Sequence, residues 1–204
     1  MRIKLFFLTS FFIVFSFTSC MKKGSNLNLD EVAPSLTEAA IQVLQFGKIN
    51  VSVQRNAYRI LSSQEKADLW KLHLINSLKS GNFNIAQNEI IKEAIVNLCK
   101  ASFFENSNRD LSSASYVIFE HKAKTNFNND ERLIVFSSLQ DFAATTTTTD
   151  GVSTIMEAGP GDHNCTCSMV STYCGFWDCT MNGCNQTQDG CGTFWQYGCN
   201  GTCL

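Results

Sequence analysis

Proline is almost missing from this chain: only Pro34 and Pro160 occur, so nothing of that kind interrupts a helix between residues 36 and 142. Long apolar runs are missing too. The run over 5–17, itself interrupted by Thr9, Ser10 and Ser16, falls short of the ~20 residues that a membrane-spanning helix needs. There is no HExxH, no GxSxG and no phosphate-cradling glycine loop, and the acidic residues are scattered. His73 and His121 stand apart, with no Glu or second His at metal-ligand spacing. No catalytic residues, no cofactor and no enzymatic activity are therefore expected. With a formal net charge of −2, no nucleic-acid partner is expected either. Positive charge is absent altogether from residues 162–204, where Asp162, Asp178 and Asp189 stand without Lys or Arg. Attachment of that segment to anionic lipid by charge is disfavoured.

Cysteine is concentrated in the same segment. Cys165, Cys167, Cys174, Cys179, Cys184, Cys191, Cys199 and Cys203 are eight of the chain's ten, an even number in a stretch too short for a self-sufficient apolar core. Four disulfides, each worth about 2–5 kcal/mol in a small exported domain, would offset the ordering entropy that packing cannot. The intervening Gly and Asn residues suit a loop-rich fold with short strands at most. Eight cysteines allow 105 pairings; setting aside those that join Cys165 to Cys167, one residue apart, leaves about ninety. Zinc is the rival explanation, with His163 as a further ligand. No CxxC occurs in this segment, however, and paired knuckles are the usual mark of a structural zinc site, so disulfides are expected and a metal is not.

Disulfides persist outside the reducing cytosol, and the N-terminus reads as an export signal. Arg2 and Lys4 precede the apolar run, and Phe17-Thr18-Ser19-Cys20 resembles a bacterial lipobox, with Phe17 where Leu is usual. The expectation is a lipoprotein signal peptide over 1–19, lipidation of Cys20, a flexible polar tether over 20–34 and anchoring to a membrane of the cell envelope through that lipid. Ordinary signal cleavage near Cys20 is the plainer alternative. Cys99 is then left over. It lies at the edge of the helical stripe Ile90, Ile91, Ala94, Ile95 and Leu98, where burial as an inert small hydrophobe is expected.

Between the tether and the cysteines the periodicity is helical. Ser62-Ser63-Gln64-Glu65 has the form of a capping box, Ala67, Trp70, Leu74 and Leu78 follow on one face, and Gly81 is a plausible stop. A second helix is expected over 84–102. A third begins after Asn128-Asn129, with Asp130 and Glu131 near its N-terminal dipole and Leu133, Phe136 and Phe142 for burial. Residues 112–124 would suit a strand or a helix, and helix is preferred. Trp70 is expected in the core.

Residues 144–161, with threonine from 145 to 149 and then Gly159-Pro160-Gly161, read as an exposed linker, a place where proteases cut. The expected fold class is thus mainly α: a small helical bundle over 35–143, then a small disulfide-rich, loop-rich domain over 162–204. That domain carries Tyr173, Phe176, Trp177, Phe194, Trp195 and Tyr197. It cannot bury them all, so an exposed aromatic contact patch is expected.

Asn164-Cys165-Thr166-Cys167-Ser168, Tyr173-Cys174, Gly190-Cys191-Gly192-Thr193, Trp195, Tyr197 and Cys199-Asn200-Gly201 together resemble the bacteriocin fulvocin C and the longer fulvocin C-related proteins of the Bacteroidetes. Tyr58, Leu61, Ser62-Ser63-Gln64-Glu65-Lys66 and Leu69-Trp70 are similar to the forepart of the longer proteins. The resemblance implies an exported four-disulfide module, growth-inhibitory in the parent bacteriocin, and a target-cell envelope component is the expected partner of such an activity. In this chain it would be carried by a lipoprotein on the periplasmic face or cell surface, as a bacteriocin precursor or contact toxin with the helical part as carrier or cognate inhibitor. No double-glycine leader precedes Asp162, so extracellular release of the tail would need a cut in the threonine-rich segment. The alternative is a non-toxic envelope module that binds protein or glycan through its aromatic patch.

Overall fold

The computed structural model describes residues 28–105, 113–140, 164–171, 174 and 178–203. The expected signal peptide, Cys20 and its lipid, the threonine-rich linker, Phe142, His163, Tyr173, Phe176 and Trp177 lie outside the described residues, as do residues 20–27 of the expected flexible tether; its later part instead forms a helical turn over 29–32, because Leu29 and Val32 pack against the core.

The described residues are mainly helical, followed by short strands held by disulfides. The helices are α1 (Leu29–Val32), α2 (Glu38–Gly47), α3 (Val51–Arg59), α4 (Ser63–Ser80), α5 (Ile85–Asn97), α6 (Ala101–Phe104), α7 (Ala114–Asn126) and α8 (Asn129–Phe136). The strands are β1 (Cys179–Thr180), β2 (Thr187–Cys191), β3 (Tyr197–Cys199) and β4 (Thr202–Cys203). β1 pairs with β4 and β2 with β3, both antiparallel, with an irregularity between Thr187 and Gly190.

Local chemistry explains most helix starts. Ser62 Oγ accepts from the Glu65 amide and the Ser62 amide donates to the Glu65 carboxylate, forming the expected capping box at the start of α4. Asn84 with Gln87 and Asn128 with Glu131 build the same device on α5 and α8. Ala67, Trp70 and Leu74 of α4 are buried, with Leu78 partly so. The helix stops at Gly81, whose amide reaches the Ser77 carbonyl at 2.7 Å; its φ of −84° makes this an extended exit rather than a left-handed cap.

The single helix expected over 84–102 is two. The amides of Leu98 and Cys99 both turn to the Ala94 carbonyl, and Lys100 is extended, so α5 ends and α6 starts in a new direction. That turn carries Leu98 and Cys99 into the core. From Ala114 onward the ambiguous stretch is helical, with Tyr116, Phe119 and Ala123 of α7 on the buried face.

The two regions share an interior. Apolar residues of the helical part and two residues of the cystine-rich part, Phe194 and Trp195, form one continuous core. The cystine-rich part has small interiors of its own, one around Cys165, Cys191 and Cys199 and another around Cys167, Cys174 and Cys179. Both consist of cysteines alone, with no aromatic ring among their members.

Candidate functional site

The site is the loop between β2 and β3 and the helical socket that receives it. Gly192 enters the loop at φ 66°, and a Cβ there would meet the Tyr197 ring at 2.6 Å and Ser171 Cβ at 2.7 Å, so glycine is required. Phe194 and Trp195 follow at φ 52° and 53°. Left-handed backbone costs about 1–2 kcal/mol per non-glycine residue, so packing must hold both in place.

Packing does so. Phe194 is 0% and Trp195 2% exposed. The Phe194 ring lies on Phe119 with centroids 5.7 Å apart and meets Trp70, edge to face, at 5.2 Å. Phe103 and Phe136 complete its surroundings, each at 6.0 Å. Trp195 meets Tyr58 edge-on at 5.0 Å and Trp70 at 5.9 Å. Such pairs contribute about 0.5–1.5 kcal/mol each beyond area burial, enough to offset the backbone cost.

Hydrogen bonds tie the loop to the socket as well. Trp195 Nε1 donates to the Ser137 carbonyl at 2.8 Å, and Trp70 Nε1 donates to the Tyr58 hydroxyl at 3.1 Å. Tyr58 in turn donates to the Phe194 carbonyl at 3.4 Å. Arg55 donates to the Thr166 carbonyl at 3.0 Å, and its guanidinium lies 5.7 Å from the Trp195 ring centroid, a cation–π distance.

A polar seam runs beside the rings. Tyr116 of α7 donates to Glu120 at 2.6 Å and shares a hydrogen bond with the Tyr197 hydroxyl at 2.9 Å, while Thr193 also donates to Glu120. Burial pushes the Tyr116 phenol well above its ordinary range, and the nearby Glu120 charge adds to this. Tyr197 is raised for the same first reason, to a lesser extent.

Of the expected contact aromatics, Phe194 and Trp195 are thus core residues, because the helical region supplies an interior that the tail lacks. Tyr197 is half-buried with its hydroxyl engaged. Among the described residues of the cystine-rich part, the exposed large apolar side chains are Met169, Val170 and Met181, with Val170 79% exposed. Arg55, Tyr58, Glu120 and Ser137 were not legible as a socket in the sequence, since each is an ordinary member of its own helix or helix end.

All eight expected cysteines are paired: Cys165–Cys184, Cys167–Cys179, Cys174–Cys203 and Cys191–Cys199. The sulfurs of Cys167, Cys174 and Cys179 lie within 4.8 Å of one another, as three metal ligands would, but all three are consumed in two of these bridges. Gly201 makes the crowding possible, since a Cβ there would stand 2.8 Å from Cys179 Sγ. Cys99 is a free, buried thiol whose pKa burial pushes far up, so it is a poor nucleophile. His73 is buried, with Nε2 at 3.1 Å from the carbonyls of Ile134 and Val135.

No family model matches this chain, and no curated protein or solved structure is significantly similar to it.

Proposed function

We propose that this protein is an exported envelope lipoprotein whose cystine-rich region is a latent growth-inhibitory module held by its helical region. What supports this reading is the burial of Phe194 and Trp195 in an aromatic socket built by the helices. Two aromatic side chains suited to inserting into a membrane or a protein partner are occupied as long as the loop stays docked. The helical region then acts as carrier or cognate inhibitor, and a cut within 144–161 is the step that allows release. With no Lys or Arg in the tail, its target would be recognised through apolar and aromatic contact rather than through charge. In this reading Cys20 anchors the protein to the membrane through its lipid, and its residues have no catalytic role.

The test is a full chain carrying a specific protease site within 144–161. Growth inhibition of a panel of bacteria is expected only after cutting and separation of the oxidised tail, and reduction is expected to abolish it. A separated, oxidised tail that inhibits nothing across a broad panel would sink the proposal.

The exposure of Met169, Val170 and Met181 favours a second reading, a non-toxic envelope module that binds protein or glycan while the tail stays docked. Protein that remains uncut throughout growth, with full-length chain retaining a binding partner, would favour it.

A further inference from the structure

We infer that the Cys191–Cys199 disulfide is an oxidation latch, through which the stability of the helical region comes to depend on the redox state of the tail. The two cysteines bracket the loop that carries Phe194 and Trp195, with a sequence separation of only 8. Both aromatics sit at positive φ, a conformation that an open segment of L-residues scarcely populates by itself. Both are also core residues of the helices: Trp70, Phe119 and Phe136 pack on Phe194, and Tyr58 packs on Trp195. The Gly190↔Gly198 and Cys191↔Tyr197 pairings of β2 with β3 hold the base of the same loop. Opening the disulfide lets the loop leave its left-handed geometry. The helical core then loses two fully enclosed aromatic side chains, and Trp70 and Phe119 are left facing the hole.

The chemistry requires a disulfide-bearing oxidant, small-molecule or protein, in the compartment that receives the chain. The Cys191 thiolate attacks that disulfide, forming a mixed disulfide and releasing one thiol. The Cys199 thiolate then attacks the Cys191 sulfur, forming the Cys191–Cys199 bond and releasing the second thiol. Two protons and two electrons pass from the protein to the oxidant, which ends as two thiols. A dithiol reverses both steps. Nothing in this latch depends on toxicity, since it concerns only whether the loop is seated.

Cys99 is a built-in reporter: it is 8% exposed and belongs to the same core cluster as Phe194 and Trp195. The experiment compares the oxidised full chain with Cys191→Ala/Cys199→Ala and with Cys174→Ala/Cys203→Ala, which removes a bridge of the other sulfur cluster. Thermal unfolding is followed by helical circular dichroism, and alkylation of Cys99 is followed by mass spectrometry. The latch variant is expected to melt about 5–10 °C lower and to expose Cys99 to alkylation at least about tenfold faster. The other variant is expected to keep Cys99 protected. Unchanged melting and unchanged Cys99 protection in the latch variant, or equal loss of protection in both variants, would overturn the inference. Should the latch variant fail to accumulate, wild-type protein is titrated with dithiothreitol and its disulfides are mapped at each step. Exposure of Cys99 that tracks loss of the Cys191–Cys199 bond supports the latch; exposure that tracks any other bond overturns it.

Discussion

Trp195 donates its indole N–H to the carbonyl of Ser137 at 2.8 Å, joining the cystine-rich region to the end of α8 across 58 positions of sequence. Around that bond Trp195 is enclosed by Tyr58, Trp70 and Arg55. Trp195→Ala removes the ring and leaves a cavity, so a loss of about 3–5 kcal/mol is expected in urea unfolding of the full chain. Trp195→Phe keeps most of the volume but leaves the Ser137 carbonyl without this donor, and should cost about 1–3 kcal/mol. A loss under ~0.5 kcal/mol for the alanine variant would mean that the loop is not seated.

Tyr116 and Tyr197 make the alkaline limit of stability predictable. Their phenols are held above the ordinary value of 10.0, so folding favours the protonated form. That contribution is fully present below pH ~10 and is lost as the pH rises through the higher folded values. The expected outcome is a stability curve that falls above pH ~10, with a shallower fall for Tyr116→Phe. The same variant should cost about 1–2 kcal/mol at neutral pH, because it removes hydrogen bonds to Glu120 and Tyr197.

The start of α4 has its own signature. Ser62→Ala removes the acceptor for the Glu65 amide, and about 1 kcal/mol of stability should go with it. Glu65 is held below its ordinary 4.5, first by the Thr37 hydroxyl at 2.6 Å and then by Ser62. Its contribution is therefore present above pH ~4.5 and lost as the pH falls through the depressed folded value. Thr37→Val should flatten that acid-side loss, as measured by the urea midpoint from pH 6 down to 3.

Partial reduction and stepwise alkylation should return the pairs Cys165–Cys184, Cys167–Cys179, Cys174–Cys203 and Cys191–Cys199, with Cys99 free. A chelator should leave the melting temperature unchanged, while a strong reductant should lower it. A zinc site built from Cys167, Cys174 and Cys179 predicts the opposite response.

Much of the helical region was legible because its signals are local. A capping box needs only four residues, so Ser62 and Glu65 announced α4, and the spacing of Ala67, Trp70 and Leu74 announced its buried face. The break between α5 and α6 was not legible. No Gly or Pro marks it, and the extended Lys100 follows from the packing of Leu98 and Cys99 into the core. Phe194 and Trp195 misled for a related reason. Judged against a small stapled unit they had nowhere to go, and the socket that takes Phe194 and Trp195 is assembled from α3, α4, α6, α7 and α8.

The amino-acid sequence by itself determined the mainly helical region, the buried Cys99 and Trp70, and an even set of cysteines available for pairing. These rest on composition, on periodicity and on contacts between near neighbours in the chain. Only the tertiary structure decided which of about ninety pairings is made and that the tail's two central aromatics complete the helical core. Both are choices among partners far apart in sequence, and such choices are made by volume and distance in three dimensions rather than by any residue's own preference.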